Sequence, residues 1–402
     1  MPKAIFYNVP AHGHINPSLP LVRELVARGH TVIYYATEQY RAVIEAAGAQ
    51  FRAYTGISDD YFKRFGLHPG VFWRVAYYLI TTTGEMLPAL LDAARAEAPD
   101  YVLYDGMCTW GYFVARVLGV PAITSLSLLP MSAPPARDML ALLPLLSAMT
   151  INPGLGIQAG RRSKSLARQY GVKSLGILGI TNAYGDLCIS YTSRGFMSWT
   201  IRDADKVRFV GRVPDEQPAD SFSFEHVRDR PLIYVSFGTV NNDDTDAFKA
   251  CIEAFGGGNY YVILSTGGGV ALEALGPLPD NVAVYPWVPQ TAVLKRAALF
   301  VTRCGVNSTH DALCFGVPML LLPQQGDQIF VSMILEKLGA GLSLSKKQVN
   351  APALRVAAAK LLAYPAYRAR AAQVGMTIRE AGGASKAANE IEAFLSGATR
   401  GG

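Results

Sequence analysis

The chain has 402 residues, of which 50% are hydrophobic and 17% are charged, and its formal net charge is +6. This length favours two domains, with ample apolar material for large buried cores. The charge is mild and no block of lysines and arginines stands out, so a phosphate-bearing ligand fits better than a nucleic-acid polymer. The five cysteines are scattered, odd in number and without a Cys-x-x-Cys pair. They argue against a disulfide framework or a zinc site and favour a reducing compartment.

Two apolar stretches raise the question of a targeting or membrane segment. The N-terminal run, residues 4–9, is too short for the core of a signal peptide and leads into a turn-rich segment. The longer stretch, residues 119–149, is interrupted by several prolines and by Arg137 and Asp138. We therefore expect a cytoplasmic chain with no transmembrane segment, although the longer stretch could line a hydrophobic cleft or touch a membrane surface.

The first part of the chain alternates strands with helices. Residues 4–9 form an apolar strand, Asn16 and Pro17 are typical of a helix start, Gly29 of a helix end, and residues 31–36 are rich in β-branched and aromatic side chains. This βαβ unit implies a parallel sheet that is covered on both faces. Further strands are predicted at 101–104 and 120–126. Residues 54–80, which are aromatic and irregular, and 127–175, which are apolar and helical, are interpreted as insertions into a Rossmann-like core.

A polar, proline-containing segment at 213–230 marks the predicted linker between two domains. The N-terminal domain is then 1–212 and the C-terminal domain 231–402, with the option that the last helix packs back on the N-terminal domain. Short apolar runs in the second half predict its strands, at 231–237, 260–264, 282–285, 299–302 and 319–322. The second half thus repeats the architecture of the first.

Residues able to bind a ligand follow the predicted strands of the second half. In open parallel sheets, ligands bind beyond the carboxyl ends of the strands. Glycines allow close approach of the backbone, a helix start offers N–H groups to phosphate, and a tryptophan offers a flat face to a base. The strand ends contain Gly238, Thr239, Gly267, Gly268, Gly269, Trp287, Val288, Gln290, Arg303, Gly305, Asn307, Ser308, Asp327 and Gln328. All of these segments are expected at one edge of one sheet.

With these motifs, the sequence resembles the family 1 glycosyltransferases, which include bacterial macrolide and flavonoid UDP-glucosyltransferases. The resemblance covers essentially the whole chain and is strongest from Trp287 to Gln328. It implies the GT-B fold, an α/β architecture in which two Rossmann-like, doubly wound parallel-sheet domains face each other across a cleft. It also implies a nucleotide sugar and a small hydrophobic acceptor as partners, and neither a cofactor nor a metal.

The resemblance assigns roles in donor binding residue by residue. It implies that Trp287 stacks on the nucleotide base, that Gln290 lies near the ribose and that Asp311 binds the ribose hydroxyls. The diphosphate is assigned to Gly305, Asn307 and Ser308, with Gly238 and Thr239 facing the phosphates, and the sugar to Asp327 and Gln328. Position 303 departs from the family, which usually has histidine there. Arg303 is a permanent cation and a good phosphate ligand, but it is longer. At position 311 the family usually has glutamate.

The segment 11–17 matches the acceptor-side motif of the family, in which His14 aligns with the general base. An imidazole with a reference pKa of about 6.5 can remove the proton of an acceptor hydroxyl as the new bond forms. Asp105 matches the acid that orients the histidine, and its alternative role is the cap of the following helix. The neighbouring His12 is interpreted as a structural turn residue.

Several other features have alternative interpretations. The Gly267-Gly268-Gly269 run lacks the spacing of a dinucleotide fingerprint. Asp244 and Asp246 resemble an Asp-x-Asp metal motif, but a helix cap is favoured, because GT-B enzymes offset the charge of the leaving group with helix N-termini and side chains. Trp287 could be core. An aromatic cluster fits core and acceptor pocket about equally, and it comprises Tyr61, Phe62, Phe65, Phe72, Trp73, Tyr77 and Tyr78.

The sequence therefore predicts an inverting glycosyltransferase that transfers glucose from UDP-glucose to a hydroxyl of a small hydrophobic natural product. UDP-glucose is preferred because Gln328 ends the motif as in glucose-using members of the family, and a dTDP-sugar remains the second option. One alternative is a sugar-nucleotide epimerase of the same fold. Another is a donor-impaired binding or partner protein, motivated by Arg303. The sequence leaves open the identity of the acceptor and the oligomeric state.

Overall fold

The computed structural model describes residues 1–59, 61, 71–130, 132–133, 152–197, 200–214, 222–227, 229–239, 242–324 and 326–398. The chain divides into two compact units. Unit 1 comprises Met1–Tyr191, Trp199–Gly211 and Ala381–Gly402, and unit 2 comprises Thr192–Ser198 and Arg212–Glu380. The segment Thr192–Ser198, which lies within the predicted N-terminal domain, is thus part of unit 2. Of the predicted linker, residues 215–221 and 228 lie outside the described residues.

Strands and helices alternate along most of the chain. The described strands are β1 (Lys3–Tyr7), β2 (Thr31–Ala36), β3 (Gln50–Ala53), β4 (Tyr101–Asp105), β5 (Ala122–Leu126), β6 (Ser132–Ala133), β7 (Leu187–Ser190), β8 (Thr200–Ile201), β9 (Val207–Phe209), β10 (Leu232–Ser236), β11 (Tyr261–Ser265), β12 (Val282–Tyr285), β13 (Ala297–Thr302), β14 (Met319–Leu321) and β15 (Gly341–Ser343). The described α-helices are α1 (His12–Ala27), α2 (Arg41–Ala46), α3 (Val71–Glu97), α4 (Thr109–Leu118), α5 (Pro153–Gln169), α6 (Thr245–Phe255), α7 (Gln290–Leu294), α8 (Val306–Cys314), α9 (Asp327–Leu338), α10 (Ala351–Ala363), α11 (Pro365–Arg379) and α12 (Gly383–Ala398).

Unit 1 is built on a seven-stranded sheet with the order β3-β2-β1-β4-β5-β7-β9, in which all pairs are parallel. Alternate residues of each central strand enter different cores. In β1, Ile5 and Tyr7 pack in one apolar cluster, and Ala4 and Phe6 pack in the other. A parallel sheet covered on both faces needs such continuously apolar strands. The strands β6 and β8 form a separate antiparallel pair.

The first helix begins earlier than the sequence predicts. Asn16 was expected to cap it, but the amide of Ile15 already donates to the carbonyl of Ala11, and α1 begins at His12. Pro17 and Pro20 therefore lie inside the helix, where each proline costs about 3 kcal/mol. Burial of an aliphatic side chain contributes roughly 1.5–3 kcal/mol, so several buried side chains outweigh that cost. Those on α1 are Ile15, Leu19, Leu21, Val22 and Leu25. At the other end, Gly29 has φ +90° and follows the last turn, as predicted.

The predicted insertions contain two long helices. Residues 71–80, predicted to be irregular, are the start of α3, and within the predicted helical insertion α5 is described. The helices approach closely where a Cβ on Gly156 would lie 2.8 Å from the indole ring of Trp73. No helix among the described ranges is long and apolar enough to span a bilayer.

The helix α12 packs in unit 1, although it follows the whole of unit 2 along the chain. Its buried side chains include Ala387, Ala388 and Ile391, which join the apolar cluster around α1. Arg28 at the end of α1 forms a 2.8 Å ion pair with Glu392. These contacts complete the face of the unit 1 sheet that α1 covers.

Unit 2 contains a six-stranded parallel sheet with the order β12-β11-β10-β13-β14-β15. The predicted strands of the second half are all present within a residue or two of their predicted bounds, and β15 was not predicted. The strand order reverses direction at β10, as it does at β1 in unit 1. Both units are therefore doubly wound, Rossmann-like parallel sheets.

A close helix contact fixes α8, the helix that follows β13. Gly375 on α11 lies against the last turn of α8, where an added Cβ would overlap the carbonyl oxygen of Leu313. Backbone atoms cannot move aside as a side chain can. The position of α8 therefore depends on the absence of a side chain at residue 375.

We predict that Gly375→Ala destabilises unit 2 by about 1–3 kcal/mol, because the added methyl group forces α11 away from α8. Thermal unfolding measures the effect. The matched control is Gly160→Ala in α5, where the added Cβ meets nothing within 4 Å. Alanine is favoured over glycine inside a helix by roughly 0.5–1 kcal/mol, so the control should be unchanged or more stable. Equal losses in both variants would contradict the packing argument.

His310 on α8 is a buried histidine that contacts one hydroxyl group and one aromatic ring. Its Nε2 lies 3.0 Å from the Oγ1 of Thr192, and its ring contacts Phe196 edge-on at 4.8 Å between centroids. Burial, together with the positive charge of Arg212, lowers the pKa of His310 to about 3. The folded protein therefore holds this imidazole neutral at every pH above about 3.

We predict that His310 makes unit 2 less stable as the pH falls from 6.5 towards 3. In that range the unfolded chain binds a proton at this residue and the folded chain does not. The contribution of the neutral His310 to the free energy of unfolding is therefore complete above pH 6.5 and is lost as the pH falls below that value. Between pH 7 and pH 5 the loss is about 2 kcal/mol. His310→Gln should remove this part of the pH dependence, measured by urea unfolding at both pH values. His226→Gln, at an exposed position of unit 2, should keep the wild-type dependence, and parallel curves for all three proteins would refute the prediction.

Candidate active site

In unit 1, functional side chains gather where the strand order reverses. This point lies between β1 and β4, and open parallel sheets bind ligands at such a point. Asp105 is the last residue of β4, and Ser127 follows the neighbouring strand β5. His14 lies in the first turn of α1, which follows β1, so that a helix rather than a loop fixes its backbone. The structure thus brings the predicted His14 and Asp105 together.

His14, Asp105 and Ser127 form a triangle of hydrogen bonds. The Nδ1 of His14 lies 2.9 Å from the Oδ2 of Asp105 and 2.6 Å from the Oγ of Ser127. The Ser127 hydroxyl donates to the same carboxylate oxygen over 2.5 Å. The second oxygen, Oδ1, accepts from the amide of Met107 at 2.9 Å. Both oxygens of the carboxylate are therefore bonded, which fixes its orientation.

This arrangement can prepare the imidazole of His14 to accept a proton. Asp105 is almost fully buried, and the side chain of His14 is 13% exposed. A carboxylate at Nδ1 favours the tautomer with the hydrogen on that nitrogen, which leaves the lone pair on Nε2. A carboxylate in this position also stabilises the imidazolium that forms after proton transfer. The neighbouring His12 is exposed and packs edge-on against Tyr40, at 5.0 Å between ring centroids.

Ser127 was missed by the sequence analysis. Its signal was its place directly after a predicted strand of the same sheet, which is the rule that located Asp105. A serine in an apolar stretch gave no other sign that it contacts the two predicted residues.

In unit 2, the predicted donor residues lie at one edge of the sheet. The parallel strands β10 to β14 all end there, as the strand-end argument predicts. The strand order reverses between β10 and β13, and the residues following these two strands include Gly238 and Arg303. Gly238 has φ +82°, a backbone conformation that glycine adopts without strain. Thr239 follows it and is partly buried.

The turn from β13 into α8 is unusual because it contains a non-glycine residue with a left-handed backbone. Cys304 has φ +63°, is fully buried, and its amide donates to the Oγ1 of Thr302 at 3.3 Å. Such a conformation costs roughly 1–2 kcal/mol per residue. Gly305 then caps α8, whose first turn contains Asn307 and Ser308. The N–H groups of a first helical turn have no partners within the helix and favour anions.

A chain of hydrogen bonds joins four of the predicted donor residues. Ser308 donates to the Oε1 of Gln290 at 3.3 Å, and Gln290 donates to the Oδ2 of Asp311 at 3.0 Å. Arg212 then connects two residues of α8: its Nη2 lies 3.0 Å from the Oδ1 of Asp311, and its Nη1 donates to Asn307 at 2.9 Å. Arg212 was missed, because it lies next to the predicted linker, far along the chain from the donor motif.

Trp287 lies on the surface of unit 2. It is 57% exposed, so the interpretation as a core residue is wrong. A Cβ on Gly268 would lie 3.9 Å from its indole ring, and Gly268 has φ +75°. The turn of glycines therefore lies beside the indole ring, and its positive φ favours glycine at position 268. Val288 and Gln290, which follow it, are partly buried.

Arg303 is turned inward within unit 2. It is 3% exposed, its guanidinium lies 4.5 Å from the centre of the Phe237 ring, and its Nη2 donates to the Oδ2 of Asp244 at 2.7 Å. Burial lowers the pKa of Arg303, and the ion pair with Asp244 opposes that effect. The predicted contact of Arg303 with a diphosphate stays a prediction.

Asp244 caps α6, as predicted, because its Oδ1 accepts from the amide of Ala247 at 3.0 Å. Burial by itself would raise the pKa of Asp244, but the Ala247 amide and Arg303 outweigh it and the pKa lies below its usual value. Asp246 is exposed in the first turn. Among the described residues, no group of three or more histidines, cysteines, aspartates or glutamates could hold a metal ion.

Asp327 and Gln328, which are predicted to contact the sugar, are the first two residues of α9. Asp327 is exposed, and the Oε1 of Gln328 accepts from the backbone amide of Gln324 at 2.9 Å. Gln324 in turn donates its side-chain amide to the Oδ2 of Asp244 at 3.0 Å.

The predicted aromatic cluster is divided between core and surface. Tyr61 is buried and donates to Thr82 at 2.8 Å, whereas Tyr78 on α3 is 40% exposed. The hydroxyl of Tyr77 accepts from Arg162 at 3.1 Å. Phe62 and Phe65 lie outside the described residues.

Known proteins resemble this chain in sequence and in structure. Residues 262–391 match the family model "Erythromycin biosynthesis protein CIII-like, C-terminal domain". The chain is 32% identical to demethyllactenocin mycarosyltransferase of Streptomyces fradiae, over 97% of this chain and 86% of that protein. It is 29% identical to the uncharacterized UDP-glucosyltransferase YojK of Bacillus subtilis, over 97% of each.

A solved structure shows the same fold over the full length. The glycotransferase of kitacinnamycin superimposes with a TM-score of 0.82 and 27% identity, covering 98% of this chain and all of that one. Both relatives and the solved structure are named as transferases of sugars, and none is named as an epimerase, so the epimerase alternative has no support. The fold is GT-B, and the chain belongs to the family 1 glycosyltransferases.

Proposed function

We propose that this glycosyltransferase moves glucose from UDP-glucose to a hydroxyl group of a small hydrophobic acceptor, with inversion at the anomeric carbon. The observation that carries the proposal is the 2.9 Å contact between His14 Nδ1 and Asp105 Oδ2. An acceptor hydroxyl is a poor nucleophile at neutral pH and needs a base within reach. The pair on unit 1 supplies that base, and Ser127 helps to hold it.

The proposed reaction is a single displacement. The acceptor oxygen attacks the anomeric carbon from the face opposite the diphosphate, and the bond between that carbon and the phosphate oxygen breaks. The proton of the hydroxyl moves to Nε2 of His14, and the nucleoside diphosphate leaves with the bonding electrons. From an α-linked donor, this displacement gives a β-glycoside. Asp105 stabilises the imidazolium and remains ionised throughout.

The donor is assigned to the carboxyl edge of unit 2. Trp287 stacks on the base, Asp311 binds the ribose, and Asp327 and Gln328 contact the sugar. The diphosphate lies against Gly238, Thr239 and the start of α8, where Gly305 is the N-cap and Asn307 and Ser308 lie in the first turn. These groups balance the charge of the leaving group in place of a metal ion. UDP-glucose is preferred, and a dTDP-sugar is the second option, since a rhamnosyltransferase of the same fold has been solved in complex with thymidine diphosphate.

A second candidate function is a donor-impaired binding or partner protein. It is favoured by one observation, the burial of Arg303 against Asp244 at the donor edge. Such a protein would bind the acceptor without turning it over.

The test is a turnover and thermal-shift screen. UDP-glucose and dTDP-glucose are each combined with phenols, terpenoids and macrolides, with and without excess EDTA, and the configuration of any product is determined by NMR. We expect a β-glucoside from UDP-glucose that forms equally well in EDTA. Acceptor-induced thermal shifts without turnover from either donor would favour the binding protein. A retained anomeric configuration would exclude the single displacement.

We predict that His14→Ala lowers kcat by roughly 10²–10⁴, because the general base is removed. Asp105→Asn should also lower kcat, since its amide cannot favour the required tautomer as a carboxylate does. The dissociation constant for UDP should stay within a few-fold of the wild type in both variants, measured by calorimetry.

The matched control for His14→Ala is His12→Ala, which removes an exposed imidazole two residues away and should leave kcat unchanged. A folded His14→Ala protein with near-normal kcat would remove His14 from its role. A variant of Asp105 whose main defect is weak UDP binding would place that residue elsewhere.

We predict that Trp287→Ala weakens UDP binding by about 1–3 kcal/mol, the usual range for stacking of a base on an aromatic ring. Calorimetric titration with UDP measures the loss. Tyr364→Ala is the control, because Tyr364 is a similarly exposed aromatic residue of unit 2. An unchanged dissociation constant in Trp287→Ala would show that the indole does not contact the base.

A further inference from the structure

The carboxylate of Asp244 joins three segments that follow different strands of unit 2. Its Oδ1 caps α6 through the amide of Ala247. Its Oδ2 accepts from Arg303, which follows β13, at 2.7 Å, and from the side chain of Gln324, which follows β14, at 3.0 Å. A helix cap needs only the first of these bonds. The other two connect the cap to the donor edge.

Arg303 depends on Asp244 for its position. The guanidinium is buried, and its Nε and Nη1 have no hydrogen-bond partner among the described residues. Apart from the contact with the Phe237 ring, the carboxylate of Asp244 is what holds it. A buried cation without its anion is strongly unfavourable, so loss of Asp244 would cause Arg303 to leave its present position.

Gln324 extends the connection to the segment proposed to contact the sugar. Its side chain is bonded to Asp244, and its backbone amide donates to Gln328 at 2.9 Å. The carboxylate thus acts at once on a fixed positive charge beside α8 and on the start of α9. A charge acts over several ångströms within a protein without direct contact. Because Arg303 is paired with Asp244, a donor at this edge would meet an oriented ion pair rather than an isolated positive charge.

We propose that Asp244 is a positioning residue for the nucleotide sugar, which holds the charge of Arg303 and the Gln324–Gln328 connection in the arrangement that binds the donor. This inference rests on the proposed function, because it assumes that the carboxyl edge of unit 2 binds a nucleoside diphosphate. It assigns Asp244 a role beyond that of a helix cap. It also explains why Arg303 is accommodated where the resemblance led us to expect histidine.

The experiment compares Asp244→Asn with Asp246→Asn, each in the wild-type chain and in Arg303→Met. Asparagine is as good a helix cap as aspartate, so the cap of α6 is preserved. Asparagine, however, has one side-chain oxygen where aspartate has two. With that oxygen on the helix cap, no acceptor remains for Arg303 and Gln324. Asp246→Asn removes the same charge from the same helix end, at an exposed position. The readouts are the dissociation constants of UDP and dTDP by calorimetry, the KM of the nucleotide sugar and of the acceptor, and the thermal midpoint.

In the wild-type chain, we expect Asp244→Asn to weaken binding of the preferred nucleotide by about 10-fold, as for loss of hydrogen bonds to a charged group. The KM of the nucleotide sugar should rise and that of the acceptor should not. Asp246→Asn should change neither. In Arg303→Met, the effect of Asp244→Asn on nucleotide binding should fall to the smaller part that acts through Gln324, since interacting residues are not additive.

Equal losses in both backgrounds would overturn the inference, because a helix cap acts independently of Arg303. Tighter nucleotide binding in Asp244→Asn would also overturn it, since the carboxylate would then only neutralise the arginine. A wild-type chain that binds neither UDP nor dTDP would overturn the proposed function, and this inference with it. Nucleotide binding without sugar transfer would count against the function alone.

A second variant keeps the test decisive if Asp244→Asn does not fold. Gln324→Met removes one of the hydrogen bonds to Asp244 and keeps the ion pair with Arg303. The inference then requires a loss of nucleotide affinity that is smaller than the loss expected for Asp244→Asn. Unchanged affinity in a folded Gln324→Met protein would refute the connection between Asp244 and α9.

Discussion

The constraint on which this structure depends is the parallel pairing of its strands. Parallel strands cannot be joined by tight turns, so each connection crosses back over the sheet and the carboxyl ends collect at one edge. Where the strand order reverses, the two neighbouring connections leave on opposite sides of the sheet and open a space. In unit 1 this point lies between β1 and β4, beside His14 and Asp105, and in unit 2 between β10 and β13.

These two edges are organised by buried or partly buried carboxylates, one in unit 1 and two in unit 2. Asp105 binds an imidazole and a hydroxyl, Asp311 binds an amide and a guanidinium, and Asp244 binds a second guanidinium. A buried charge is costly unless it is paired and hydrogen-bonded, so each carboxylate fixes the groups around it. The hydrogen bonds and ion pairs that stabilise these carboxylates in the folded protein therefore also position the groups that we assign to catalysis and donor binding.

The sequence predicted those features that depend on residues close together along the chain. Alternation of apolar runs and turns located the strands of unit 2, and the strand-end rule collected Trp287, Gln290, Asn307 and Asp327 at one edge. It also located Asp105. The predicted start of α1 was wrong, because burial of the apolar side chains of α1 outweighs the local signal of Asn16 and Pro17.

Partnerships between distant residues could not be predicted in this way. Arg212 lies next to a polar segment that resembles a linker, and only the folded sheet brings it to Asp311. Ser127 has no motif of its own. The environment of Arg303 could not be predicted either, because its partner Asp244 follows a different strand. A resemblance to a family assigns each residue a role towards the ligand. It does not predict the contacts that those residues make with each other.

The place of α12 has a consequence for how the protein is made. This helix completes the core of unit 1 through Ala387, Ala388 and Ile391, yet all of unit 2 precedes it along the chain. A ribosome releases residues in order, and domains generally fold as units during synthesis. Unit 2 can therefore reach its final packing while unit 1 still exposes the apolar face that α12 covers. The core of unit 1 is therefore completed only after unit 2 has been synthesised. Until then, the apolar face that α12 will cover is exposed and must not aggregate.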